Sequence, residues 1–110
     1  MKIEERREKD VVIVDLSGEV DFYNSSKVRE KFINLVKQKR KAILINLGEV
    51  TYIDSSGLAT LIELMQKLNG YGGKLKLAGL SQSVRNIFEV SKLTDVFSIY
   101  QGEREALKAF

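Results

Sequence analysis

Two short apolar runs constrain the fold of this chain most strongly. Val11–Leu16 and Ala42–Leu47 are made mainly of valine, isoleucine and leucine, and they are apolar at both alternating positions. This pattern is typical of strands that are buried on both faces, whereas a half-buried strand alternates apolar and polar residues. The runs therefore predict two central strands of a sheet that is covered by other elements.

Amphipathic segments follow each of these strands and predict helices. Apolar residues recur at helical spacing in both segments: Val28, Phe32, Leu35 and Val36 in the first, and Leu58, Leu61, Ile62, Met65 and Leu68 in the second. The first helix starts after the N-cap candidates Asn24, Ser25 and Ser26 and ends in the basic run 37–41. The second ends at Asn69, before a glycine stop signal.

The remaining segments complete an alternating order of strands and helices. Charged residues 2–8 predict an edge strand and residues 8–10 a hairpin turn. Further strands are expected at Lys74–Ala78 and Val96–Tyr100, with a helix after Ser81 or Ser83 and a short one after Gly102. Residues 17–21 and 48–51 are expected to be loops. Such an order predicts parallel strands with right-handed crossovers.

The sequence therefore predicts a single α/β domain over residues 1–110. Its sheet is mixed and mostly parallel, with about five strands, an antiparallel N-terminal edge strand and four helices largely on one face. The alternation Lys74-Leu75-Lys76-Leu77 predicts one wet face. The two central strands instead require cover on both faces, so the number of covered faces stays open at this point.

The composition disfavours catalysis. The chain has no Cys and no His, so it lacks a thiol nucleophile, the usual general base and the commonest transition-metal ligand. Several carboxylates could gather at one sheet edge to bind Mg²⁺ or act as acid and base, but no spacing requires it: Asp15, Glu19, Asp21, Glu49 and Asp54. We expect no enzyme activity, no metal and no cofactor.

Charge and hydropathy indicate where in the cell the chain works and which classes of partner it lacks. The formal net charge is +3, with acidic and basic residues interspersed, and the basic run 37–41 contains no aromatic residue. A solvated helix end therefore explains this run better than a nucleic-acid patch. No apolar run approaches membrane-spanning length, and the N-terminus is charged. We expect a cytoplasmic protein without a membrane or direct nucleic-acid contact.

The stretch Tyr52–Leu58 has two interpretations. Asp54, Ser55 and Ser56 stand directly before an apolar periodic run and can cap the second helix. The same helix start favours an anion such as a phosphate. The stretch is either a structural cap or the place where a serine hydroxyl meets a partner or a kinase, and its chemistry alone does not choose between Ser55 and Ser56.

A polar patch with exposed aromatic side chains is expected beside this stretch. The two segments Asp21–Asn24 and Asp54–Ser56 follow neighbouring parallel strands, whose carboxyl ends share one edge of the sheet. The patch would comprise Asp21, Phe22, Tyr23, Asn24, Asp54, Ser55 and Ser56. Aromatic residues in such a patch suit protein recognition. A phosphate there would be tolerated by the fold and would disrupt a partner interface.

Several motifs resemble the anti-sigma-factor antagonists of the STAS family. They are Leu16-Ser17-Gly18-Glu19-Val20-Asp21, the run from Asn46 to Leu58 that contains Asp54-Ser55-Ser56-Gly57, Gly72-Gly73-Lys74-Leu75, and Ser83-Val84-Arg85-Asn86-Ile87-Phe88 with Leu93-Thr94-Asp95-Val96-Phe97. The resemblance covers nearly the whole chain and keeps the spacing of the motifs.

The resemblance implies a regulator without catalysis of its own. It would bind an anti-sigma factor that is also a serine kinase, lose that binding when Ser56 is phosphorylated, and be restored by a metal-dependent serine phosphatase. Asp21 and Asp54 match the acidic positions, Gly57 would allow a partner to approach closely, and residues 22–24 would set partner choice. Family members also include modules of stress-sensing assemblies and cytoplasmic domains of anion transporters, which remain alternatives.

Overall fold

A computed structural model describes all residues 1–110. Its elements are β1 (Lys2–Glu8), β2 (Val11–Val20), α1 (Ser25–Lys37), β3 (Ala42–Ile53), α2 (Ser55–Asn69), β4 (Lys74–Ala78), α3 (Gln82–Val90), β5 (Ser98–Tyr100) and α4 (Glu103–Lys108). The five strands form one sheet in sequence order. Only β1 is antiparallel to its neighbour. The predicted α/β fold with its antiparallel edge strand is confirmed.

Three helices cover one face of the sheet. Alternate residues of the central strands, among them Val14, Ile45 and Leu77, point to this face and are fully buried. They form one apolar cluster of 21 residues with side chains of α1, α2 and α3. Because each βαβ crossover in such a sheet is right-handed, helices that join strands in sequence order fall on the same side.

The short helix α4 covers the opposite face. Ala106 of α4 packs in a second cluster with Val11, Ile13, Leu44 and Ala78. The two central strands are therefore apolar at both parities because both of their faces are covered. This arrangement settles the question that the sequence left open: the helices lie largely, but not all, on one face.

The predicted wet face of β4 is wrong. Lys76 is only 8% exposed, because its stem lies beneath residues at the C-terminal end of the chain. Its Nζ donates a hydrogen bond to the hydroxyl of Tyr100 at 3.2 Å. The same ammonium stands 5.2 Å from the ring centroids of both Tyr100 and Phe110. A lysine in an alternating strand can thus be buried when aromatic rings lie close to its ammonium group and interact with it through cation–π contacts.

The strands β2 and β3 are longer than the sequence predicted. Residues 17–20 and 48–51, which were expected to lie in loops, belong to these strands, because both strands continue together to the partners Val20 and Ile53. Register shifts interrupt this extension after Asp15 and after Gly18, whose φ is +95°. Val20 and Ile53 are each 1% exposed and anchor the extension in the core. The sequence did not reveal this extension, because a β-bulge interrupts the alternation of inward and outward side chains along a strand.

The last strand is shorter than predicted. β5 spans Ser98–Tyr100 rather than Val96–Tyr100. Phe97 precedes it in a turn, where its amide donates to the carbonyl of Leu93 at 3.2 Å. Its ring packs edge-on against Phe88 at 5.7 Å. Phe97 is therefore a core residue, but its backbone is engaged in a turn and not in the sheet.

Candidate functional site

The extended ends of β2 and β3 bring the two segments of the expected patch together. Val20 and Ile53 are partners across the strands, and the amide of Asp54 donates to the carbonyl of Val20 at 3.3 Å. Asp21 and Asp54 each follow directly after these strand ends. The segments 21–24 and 54–57 therefore lie side by side at one edge of the sheet, where α1 and α2 begin.

Asp54 joins these two segments through its carboxylate. It is the N-cap of α2, with extended backbone angles, and its Oδ1 accepts the amide of Gly57 at 3.0 Å. Its Oδ2 accepts the amide of Phe22 at 2.9 Å. One oxygen thus caps the helix in the way that the sequence predicted, and the other holds the neighbouring segment.

Asp21 organises the start of α1. Its Oδ1 accepts the amides of Tyr23 and Asn24 at 3.1 and 3.0 Å, and its carbonyl accepts the amide of Ser25 at 2.8 Å. Asn24 occupies the N-cap position, but its side chain makes no capping bond and donates instead to the carbonyl of Glu19 at 3.0 Å. Of the three candidates Asn24, Ser25 and Ser26, only Asn24 stands at the cap position, and the expected side-chain cap is absent; Asp21 supplies the turn before the helix.

Ser55 and Ser56 form the first residues of α2. Ser55 is exposed and Ser56 is half-buried. Neither hydroxyl takes part in a hydrogen bond within the chain; Ser56 contributes only its carbonyl, which accepts from the hydroxyl of Thr60 at 2.9 Å. The first turn of α2 holds no acidic side chain. A change at either hydroxyl would therefore break no existing bond.

Gly57 is buried against its own chain. A Cβ atom at this position would lie 2.2 Å from the carbonyl oxygen of Val20 and 2.8 Å from a methyl group of Ile53. The absent side chain is thus explained by the close approach of β2 to the start of α2. Close approach of a partner at Gly57 stays a prediction.

Aromatic side chains form the most exposed part of this edge. The side chains of Phe22 and Tyr23 are 71% and 83% exposed, and their rings meet edge to face at 5.6 Å. Tyr52, paired with Glu19 in the strand extension, is 48% exposed. Tyr52 was not predicted as a contact residue, because the sequence does not show that β3 continues to Ile53 and carries this ring to the edge of the sheet.

The carboxylates do not form a metal centre. No group of three or more His, Cys, Asp or Glu side chains is arranged to hold a metal ion. Asp15 is engaged elsewhere: its carboxylate accepts from Arg6 at 2.5 Å and from the amide group of Asn46 at 2.9 Å. The hydrogen bond from Arg6 holds the pKa of Asp15 below its ordinary value.

No helix combines the length and the apolar character that a membrane crossing needs.

Comparison with known proteins identifies the family. The model of the STAS domain matches residues 2–106. The anti-sigma-B factor antagonist of Listeria monocytogenes is 33% identical over 100 residues, which are 90% of this chain and 87% of that protein. An anti-sigma factor antagonist from Mycobacterium paratuberculosis has a TM-score of 0.90 at 23% identity, with 98% of this chain and 92% of that one covered. The Bacillus cell fate determinant SpoIIAA in its phosphorylated form has a TM-score of 0.75 at 24% identity, with 98% of each chain covered. The chain belongs to the STAS domain family.

Proposed function

We propose that this chain is an anti-sigma factor antagonist, which acts by binding an anti-sigma factor and carries out no catalysis. The names of its relatives support this function. The observation that carries it is the surface beside Asp54. One segment there carries two serine hydroxyls that make no hydrogen bond within the chain, and the neighbouring segment carries two exposed aromatic rings. Hydrogen bonds of the main chain and of two carboxylates connect these segments to the fold. A surface with exposed aromatic side chains is suited to protein recognition.

The proposed control of binding is phosphorylation of Ser56 by the anti-sigma factor, which would act as a serine kinase. SpoIIAA, which shares the fold, exists in a phosphorylated form. In this chain a phosphate at Ser56 would face the amides at the start of α2, which favour an anion. It would also add close to two negative charges beside Asp21 and Asp54. The fold would tolerate the phosphate, and an interface formed around a neutral hydroxyl would not.

The remaining partners follow from this control. A metal-dependent serine phosphatase would remove the phosphate and restore binding. The protein would work in the cytoplasm, without a cofactor and without direct contact to nucleic acid or membrane. Its binding residues would be Asp21, Phe22, Tyr23, Asn24, Asp54, Ser55, Ser56 and Gly57.

Phosphorylation and binding are tested with the serine-kinase anti-sigma factors of the same organism. Each is incubated with the protein and Mg-ATP, and the phosphate is mapped by mass spectrometry. We expect one phosphate on Ser56, which is lost in Ser56→Ala and kept in Ser55→Ala. Calorimetry should show that Ser56→Ala binds like the wild type, since no hydrogen bond of the fold uses this hydroxyl. Ser56→Asp should bind at least about tenfold more weakly, the effect of about 1.4 kcal/mol of repulsion.

Different outcomes contradict different parts of the proposal. A phosphate on Ser55 would move the site by one residue. Equal binding by Ser56→Asp and the wild type would exclude a charge-controlled interface. If no anti-sigma factor binds, the chain is better explained as a module of a stress-sensing assembly or of an anion transporter.

A further inference from the structure

Binding of a partner does not by itself explain the hydrogen bonds that Asp54 makes. Its carboxylate forms no hydrogen bond with a side chain of the patch and instead accepts two main-chain amides, those of Gly57 and Phe22. We propose that Asp54 is a positioning residue, which transmits the charge state of Ser56 to the aromatic pair Phe22–Tyr23. This inference rests on the proposed function and adds a second route by which phosphorylation would weaken binding.

The aromatic pair depends on main-chain hydrogen bonds for its placement. Both rings are more than two-thirds exposed and touch one another, so packing against the core contributes little to their orientation. The amides of Tyr23 and Asn24 are held by Asp21, within the same segment. The bond from Phe22 to Asp54 spans 32 residues. It is the one hydrogen bond that fastens residues 21–24 to the start of α2.

A phosphate at Ser56 acts on this bond in two ways. Its oxygens accept amide groups at a helix start, so they compete with Asp54 for the amide of Gly57. Its charge also repels the carboxylate of Asp54, because the two residues occupy the same helical turn. A carboxylate displaced from Gly57 is no longer held in position to accept the amide of Phe22. The aromatic pair is then released from α2.

The helix α3 provides a matched comparison within the chain. Its N-cap is Ser81, whose hydroxyl accepts the amide of Val84 at 3.3 Å, lies 3.5 Å from the hydroxyl of Ser83 and holds no neighbouring segment. Ser83 occupies the position in α3 that Ser56 occupies in α2, two residues after the cap. A negative charge at Ser83 therefore reproduces the charge and the helical position without the connection to Phe22.

Amide NMR of the isolated ¹⁵N-labelled protein tests the inference without any partner. In Ser56→Asp, and in protein with phosphoserine incorporated at position 56, the solvent exchange of the Phe22 amide should accelerate by about tenfold or more, the effect of losing a charge-assisted hydrogen bond. Asp54→Ser should give the same acceleration at Phe22 and keep Gly57 protected, because serine is also a good N-cap. The amides of Tyr23 and Asn24, and all three amides in Ser83→Asp, should remain unchanged.

Two outcomes would overturn the inference. Unchanged exchange at Phe22 in both the Ser56→Asp and the phosphoserine proteins would show that Asp54 transmits nothing. Equal acceleration at Tyr23 and Asn24 would indicate a general loosening of the segment. Neither result bears on the proposed function, which fails if the anti-sigma factors do not bind, nor on its proposed control, which fails if their affinity is unaffected by the charge at Ser56.

Discussion

At the scale of single residues, the geometry around Gly57 links the core to the site. The carbonyl of Val20 accepts the amide of Asp54 and also occupies the space where a side chain of residue 57 would lie. The strand end of β2 and the first turn of α2 are therefore in direct main-chain contact. This contact places the carboxylate of Asp54 within reach of Phe22, and any larger residue at position 57 would separate the two elements.

We expect Gly57→Ala to lower the free energy of unfolding by about 2–3 kcal/mol, because the added methyl group overpacks a main-chain contact that cannot move freely. Urea denaturation followed by circular dichroism measures this change. Gly102→Ala is the control: no atom lies within 4 Å of its Cβ position, so it should lose less than about 1 kcal/mol. Equal effects of the two substitutions would contradict the close approach of β2 to α2.

At the scale of elements, the sequence predicted helix starts better than strand ends. Asp54 and Ser81 cap their helices as expected, because an N-cap depends on a short local pattern. The predicted boundaries of β2, β3 and β5 were wrong, because the bulged pairing after Gly18 and the turn at Phe97 depend on the tertiary fold. The prediction that one face of β4 is exposed was wrong for the same reason. The helix that covers this face, α4, begins more than twenty residues after β4, so no local pattern reveals the contact.

Lys76 shows how α4 and its flanking residues stabilise the second face of the sheet. We expect Lys76→Ala to lower the free energy of unfolding by about 2 kcal/mol, since it removes buried methylene groups and the contacts with Tyr100 and Phe110. Lys76→Met should lose clearly less, because it keeps most of the stem. Lys74→Ala, on the same strand but exposed, should change stability by less than about 0.5 kcal/mol. Thermal and urea unfolding would both detect this order, and its reversal would show that the stem of Lys76 is not packed.

A polar network fastens α4 to the N-terminal hairpin and makes stability depend on pH. Arg6 bridges Asp15 of β2 and Glu103 of α4, each at 2.5 Å. The hydrogen bond from Arg6, with that from Asn46, lowers the pKa of Asp15 in the folded state. A lowered pKa stabilises the fold above the unfolded value of about 3.9, and this contribution is lost as the pH falls through the folded value.

The free energy of unfolding should therefore fall as the pH drops from about 5 toward 2. Asp15→Asn should lower stability by about 1 kcal/mol at pH 7, a modest effect because Arg6 is 43% exposed. The variant should then lose less stability than the wild type on acidification, since it has no carboxylate left to protonate at this position. Urea denaturation at a series of pH values gives both curves. Parallel curves would show that the bridge to Arg6 contributes no pH dependence.

At the scale of the whole molecule, the residues that stabilise the fold are separate from those proposed to bind a partner. Two apolar clusters on opposite faces of the sheet hold the fold together. The proposed recognition surface lies at the edge where β2 and β3 extend beyond the other strands, and its aromatic rings belong to neither cluster. The position of this edge could be predicted from the order of the elements, because parallel strands end together. The direction of its side chains could not, because it depends on the bonds of Asp21 and Asp54.

This separation predicts that the aromatic pair can be removed without harm to the fold. Phe22→Ala and Tyr23→Ala should each leave the free energy of unfolding within about 0.5 kcal/mol of the wild type. Each should weaken binding to the anti-sigma factor by about 30-fold or more, as expected of aromatic anchors in an interface. Val90→Ala is the matched control, because Val90, the last residue of α3, is also a strongly exposed apolar residue, 84% accessible. Calorimetric titration of the three variants would detect the difference. If Val90→Ala weakened binding as much as Phe22→Ala, the partner would occupy a different face, and the surface beside Asp54 would lose its role in recognition.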